Sequence, residues 1–158
     1  MSGIYLPNRD IIVPQRRPLV PPVWQALPGS QSLFLQSPIR EVCFAGTRGP
    51  GTTDAMLFGF AQHCGRGYGD FWRGIIFRRN YKHLDDIISK SKRWFNRSAQ
   101  KPKFLAGSSH LKWVWPTGEE LLFRAFEDEE DYWSYHGHEY PYIGWEELTS
   151  WSSINCYE

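Results

Sequence analysis

Cysteine is scarce in this chain, and long apolar runs are missing. Cys43, Cys64 and Cys156 are odd in number and follow no C-x-x-C spacing, which argues for a reduced, cytoplasmic protein. No stretch approaches the ~20 apolar residues of a membrane span. The N-terminus lacks the charged-then-apolar pattern of a secretory signal. An overall charge of one sign is also missing, since 18 Lys/Arg face 17 Asp/Glu and leave a net charge of +1. A fourth absence is a single residue. The glycine-rich stretch at positions 46–53 has no lysine.

What is present fits one globular domain, for which 158 residues is an ordinary length. Hydrophobic residues at 41% suffice for a core, and aromatics at 16%, with eight Trp, call for large packed surfaces. The neutral total hides segregation. Residues 78–103 hold nine Lys/Arg against Asp85 and Asp86, while residues 119–147 hold ten Asp/Glu against Arg124.

Residues 1–28 contain six of the eleven prolines, and proline both removes amide donors and resists helix. An extended arm is therefore expected over residues 1–23, before a folded unit over 24–158. Pro28-Gly29 marks a turn, and Ser32–Leu35 suits either strand or helix. Glu41–Ala45 reads as a short buried strand, and a helix follows from Thr53 to about His63. Arg73–Arg78 reads as a second buried strand. Tyr81, Leu84, Ile87, Ile88, Ser91, Trp94 and Phe95 recur at helical spacing, opposite Lys82, Lys90, Lys92 and Arg93. Lys101 to His110 reads as a loop. Trp113–Trp115 and Leu121–Phe126 bracket Pro116-Thr117-Gly118 as a hairpin, and Asp128–Tyr135 as a short helix. Tyr140–Glu147 reads as a strand ending in two carboxylates. Strands alternating with helices argue for α/β layers.

Gly46-Thr47-Arg48-Gly49-Pro50-Gly51-Thr52-Thr53 sits between the first strand and its helix. Glycines there let backbone N–H groups curl around an anion, and the positive end of the helix points the same way. The phosphate-loop motif G-x-x-x-x-G-K-[ST] is met by Gly46, Gly51 and Thr53, with Thr52 in the lysine position. Glu146 and Glu147 supply the partner feature. In phosphate-loop enzymes one acid at a strand end holds Mg²⁺ with the loop hydroxyl, and a neighbour orients the attacking water. His136, His138 and Glu139 permit a zinc-hydrolase reading, though no third ligand has a suggestive spacing. The basic residues Lys90, Lys92, Arg93, Lys101 and Lys103 form either a solvated face or contacts to nucleic-acid phosphates.

Four segments together carry a resemblance: Leu27–Gln31, Gly46–Gly51, Trp72–Arg78 and His136–Thr149. In this order they resemble the ATPase domain of the large subunit of tailed-phage terminase, from about Trp24 to the last residue. The resemblance implies a P-loop NTPase fold of the additional-strand type, a three-layer sandwich, here C-terminally truncated. It implies ATP and Mg²⁺ as cofactors and ATP hydrolysis coupled to movement of double-stranded DNA into a prohead. By the same resemblance Gln31 contacts adenine, Gly46 through Thr53 cradle phosphate, Thr53 and Glu146 hold Mg²⁺, and Glu147 is the catalytic carboxylate. Arg48 matches an arginine that accompanies or replaces the loop lysine. A homo-oligomeric ring, the small terminase subunit, the portal protein and the cytoplasm of an infected or lysogenic bacterium are the implied partners and setting. The chain departs from the family at Thr52 and by stopping at Glu158, before the coupling motif, further strands and nuclease domain. The rival expectation is a catalytically silent remnant that only binds nucleotide, DNA or protein.

Overall fold

The computed structural model describes residues 23–45, 51–107 and 110–151. The proline-rich arm, Val23 excepted, and Gly46–Pro50 with Arg48 lie outside the described residues. The described chain is mixed α/β, with a five-stranded sheet in the order β2-β3-β4-β1-β5. Its strands are β1 (Arg73–Arg78), β2 (Lys103–Gly107), β3 (His110–Val114), β4 (Glu120–Ala125) and β5 (Tyr142–Trp145). β1 lies between β4 and β5 and runs parallel to both, whereas β2-β3 and β3-β4 are antiparallel.

The strands alternate in what they bury. Ile76, Leu121 and Phe123 face a cluster made with α2 (Thr52–Ala61) and α3 (Leu84–Phe95), through Leu57, Phe60, Leu84, Ile87 and Phe95. Ile75, Phe77 and Leu122 face the other side, against Phe126 and the partly buried Tyr135, Tyr140, Trp145 and Trp151. Period-two alternation thus places one cluster on each face of the sheet.

Helix α2 is apolar nearly all round, and each side has a cover. Inward, Phe60 packs so closely on β1 that a Cβ at Gly74 would sit 2.5 Å from its ring. Outward, Trp24 stacks on Phe58 with ring centroids 4.3 Å apart. Helix α1 (Ser30–Gln36) completes that cover, so the ambiguous Ser32–Leu35 run is helical. In α3 the expected stripe Leu84, Ile87, Ile88, Ser91 and Phe95 is buried, and Trp94 is partly so. Tyr81 departs from it, exposed in a 3₁₀ turn whose start is capped by Asn80.

Two expectations fail. Glu41–Ala45 is not a strand, and Val42 is exposed. β1 already has a partner on each edge, and Phe44 stacks on Phe34 of α1 instead, at 5.5 Å. The loop expected from Lys101 to His110 is instead strand over Lys103–Gly107, because β2 pairs along β3 from Lys103↔Val114 to Gly107↔His110. The 116–118 hairpin stands, with Gly118 N–H donating to Trp115 O and Gly118 at φ 107°. The expected 128–135 helix is a 3₁₀ turn, Glu129–Asp131, followed by α4 (Tyr132–Tyr135). No described helix is long and apolar enough to cross a membrane.

Candidate functional site

The C-terminal ends of β1 and β5 and the first turn of α2 meet at one place. Helix α2 begins at Gly51, whose left-handed φ of 70° suits glycine. Gln31 crowds the same glycine. Its Nε2 donates to Gly51 O at 3.2 Å, and a Cβ on residue 51 would collide with that amide. Its Oε1 accepts from Leu27 N–H at 2.8 Å. Buried Gln31 therefore ties the Pro28-Gly29 turn to the last residue of the glycine-rich stretch. Thr52 opens the helix, and Thr53 is buried in its first turn.

Thr53 faces β5. Its hydroxyl donates to Glu146 Oε1 at 2.5 Å, across 93 residues of sequence. Glu146 follows β5 directly, and its N–H donates to Phe77 O at 3.0 Å, which fixes its backbone against β1. A tyrosine and a glycine bring α2 this near. Tyr142 OH donates to Met56 O at 2.7 Å, and a Cβ on Gly144 would lie 2.7 Å from Met56 Sδ.

Arg78, at the end of β1, holds both acids. Its Nε lies 3.2 Å from Glu146 Oε2 and its Nη2 donates to Glu147 Oε1 at 2.9 Å. Its Nη1 donates to the His83 carbonyl at 2.5 Å. Arg78 and Glu146 side chains are only 10% and 7% exposed, whereas Glu147 is 57% exposed, so only Glu147 is free to meet solvent. Glu147 also carries a left-handed backbone, φ 57° and ψ 48°, a strained choice for a residue with a Cβ. Beside it opens a cleft of about 570 Å³ lined by Arg78, Arg79, Asn80, His83, Glu127, Asp128, Glu147 and Ser150.

Glu146 holds its proton more tightly than an ordinary glutamate. Burial is the main cause and the Glu147 charge adds to it, against the Thr53 hydroxyl, Arg78 and Lys90. Although Arg78 Nε is near, Glu146 Oε2 makes no aligned hydrogen bond and is buried. An orphaned buried carboxylate oxygen beside a hydroxyl is a donor set that suits a hard, oxygen-seeking divalent cation such as Mg²⁺. On that observation the residues present fit the metal.

Of the residues expected to act together, Gln31, Gly51, Thr52, Thr53, Glu146 and Glu147 are brought to one neighbourhood. Gly46, Thr47, Arg48, Gly49 and Pro50 lie outside the described residues. His138 Nδ1 sits 3.5 Å from Tyr140 OH. No group of three His, Cys, Asp or Glu able to hold a metal occurs among the described residues, so nothing there supports zinc. Two residues were not expected at this site: Arg78, and Lys90, which was read as part of a basic face. Arg78 had a signal, a charge closing the apolar strand Arg73–Arg78 on the side where the acids converge. Lys90 had none, because it sits within a basic helix face. The protein-family models, the curated proteins and the solved structures include no match to this chain.

Proposed function

We propose that this chain is a nucleotide-binding core of the P-loop type, related to the ATPase of phage terminase large subunits, that binds ATP with Mg²⁺. The observation that carries the reading is the Thr53–Glu146 hydrogen bond at the junction of a glycine-started helix and a strand end. A phosphate loop and its acidic strand bring together this hydroxyl and this acid to share a magnesium ion. The parallel trio β4-β1-β5 ends beside the same place, where ligands of open α/β sheets bind.

In this reading Gly46–Thr53 wrap the phosphates with backbone N–H groups, Arg48 adds charge, and Gln31 flanks the adenine side. Thr53 and Glu146 would hold Mg²⁺, which when bound would neutralise charge on the phosphates. Glu147 is the base that orients water, and its bond to Arg78 must open before it acts. In an assembled terminase-like motor the activity is ATP hydrolysis driving double-stranded DNA into a prohead. Copies of the chain would form a ring with the small terminase subunit and the portal protein.

A second reading, nucleotide binding without turnover, is favoured by Thr52 in the lysine position and by the 2.9 Å bond that occupies Glu147. Titration of the full chain with a fluorescent ATP analogue tests the shared premise. Binding should require Mg²⁺, and Thr53→Val should weaken it roughly tenfold or more, the scale of a lost ligand to a charged group. Binding that ignores both Mg²⁺ and Thr53→Val contradicts the proposal. Phosphate release above the level of Glu147→Gln separates the two readings.

A further inference from the structure

Thr52 leaves the glycine-rich stretch without the cation that position brings to the β- and γ-phosphates. A cation nevertheless reaches the site from another element. Lys90, on α3, directs its Nζ to 3.4 Å from Thr53 Oγ1, at the first turn of α2. Two rigid contacts set that approach. Trp94 Nε1 donates to Asp54 Oδ1 at 2.9 Å, which bolts α3 to the same turn. Trp113 Nε1 donates to the buried Ser91 Oγ at 2.8 Å, which fixes α3 against the sheet.

The second contact of Lys90 is Asp86 Oδ2 at 3.0 Å, one turn earlier. Asp86 is 56% exposed, and exposed pairs of this spacing hold weakly, so the ammonium is parked rather than trapped. Arg78, the cation in contact with Glu146, is engaged by two carboxylates and a carbonyl. Among the described residues, Lys90 is therefore the cation placed to meet a phosphate at Thr53.

We propose that Lys90 is the phosphate-contacting cation of this site, doing from α3 what a lysine at position 52 would do from the loop. The inference rests on the nucleotide reading above and adds a substrate preference to it. The lysine of a phosphate loop reaches the β- and γ-phosphates, so a cation that takes over its γ-phosphate contact would favour a nucleoside triphosphate over a diphosphate.

The test is a titration of the full chain with fluorescent ATP and ADP analogues in Mg²⁺, with melting curves recorded without nucleotide. Lys90→Ala should lose roughly tenfold to a hundredfold in ATP affinity, the scale of a hydrogen bond to a charged group, with ADP affinity little changed. Lys90→Arg should keep most of the ATP affinity. Adding Thr52→Lys to Lys90→Ala should restore it. If the unaltered chain binds ATP and Lys90→Ala binds it equally well, the Lys90 assignment falls and the nucleotide reading stands. An equal loss for ATP and ADP with a lowered melting temperature makes Lys90 structural and also overturns the assignment. No nucleotide binding by the unaltered chain overturns both.

Discussion

Arg78 and Glu146 are nearly enclosed, and such a buried ion pair is weak evidence for stability, because desolvation offsets the Coulomb gain. A cluster of this kind is explained better by what it can bind. Glu146 is the group whose titration reports it. Its folded pKa is raised, chiefly by burial, so its contribution is fully present below the unfolded glutamate pKa and is lost as pH rises through the folded value. At neutral pH the ionised carboxylate therefore costs stability. Glu146→Gln leaves Arg78 one carboxylate short and should lower the melting temperature; because the variant has no carboxylate there to ionise, that deficit should shrink as pH rises out of the ordinary carboxylate range. Mg²⁺ needs the ionised form, so Mg²⁺-dependent nucleotide binding should weaken at a pH above that of an ordinary glutamate. Melting curves and titrations across pH check both signs, and a deficit that grows as pH rises contradicts them. At this scale the sequence showed Thr53, Glu146 and Glu147 but not Lys90, because spacing along a chain does not say which surface lysine another helix will face.

Two glycines set how closely α2 lies on the sheet, and they differ in what surrounds them. A Cβ at residue 74 would meet the ring of Phe60 at 2.5 and 2.7 Å, and that ring is fully buried. Gly74→Ala should therefore cost about 1–3 kcal/mol, the range of an overpacked core. At residue 144 the obstacle is the thioether of Met56, which can turn aside, so Gly144→Ala should cost less. Denaturant titration of the two variants checks the order, and equal costs contradict it. Elements with strong local periodicity were legible: the Leu84–Phe95 helix, the 116–118 hairpin and the strand Arg73–Arg78. β2 was hidden because an edge strand has one side in solvent, and Lys103 and Leu105 there are exposed. Glu41–Ala45 misled for the opposite reason. A short run with strand-forming residues needs an edge to join, and β1 offered none.

Across the whole molecule, α2 and α3 cover one face of the sheet and an aromatic cluster covers the other. Ile75, Ile76 and Phe77 are consequently buried, while Ile143 remains 52% exposed. The basic helix face divides in a way the sequence could not show. Lys90 turns to Thr53, whereas Lys92 lies over the Phe104 ring at 4.7 Å and Arg93 is exposed. The α/β class was readable because it follows from local pattern; the order of the strands was not, since it depends on long-range pairing. The claim at the centre is that the first turn of α2 receives a phosphate beside Thr53 and Glu146. Amide hydrogen exchange of the full chain, with and without ATP and Mg²⁺, tests it where the ligand would sit. Protection should appear at Gly51 through Asp54 and at Glu146, and should vanish in Thr53→Val. Protection confined to other segments, or none at saturating nucleotide, would contradict the account.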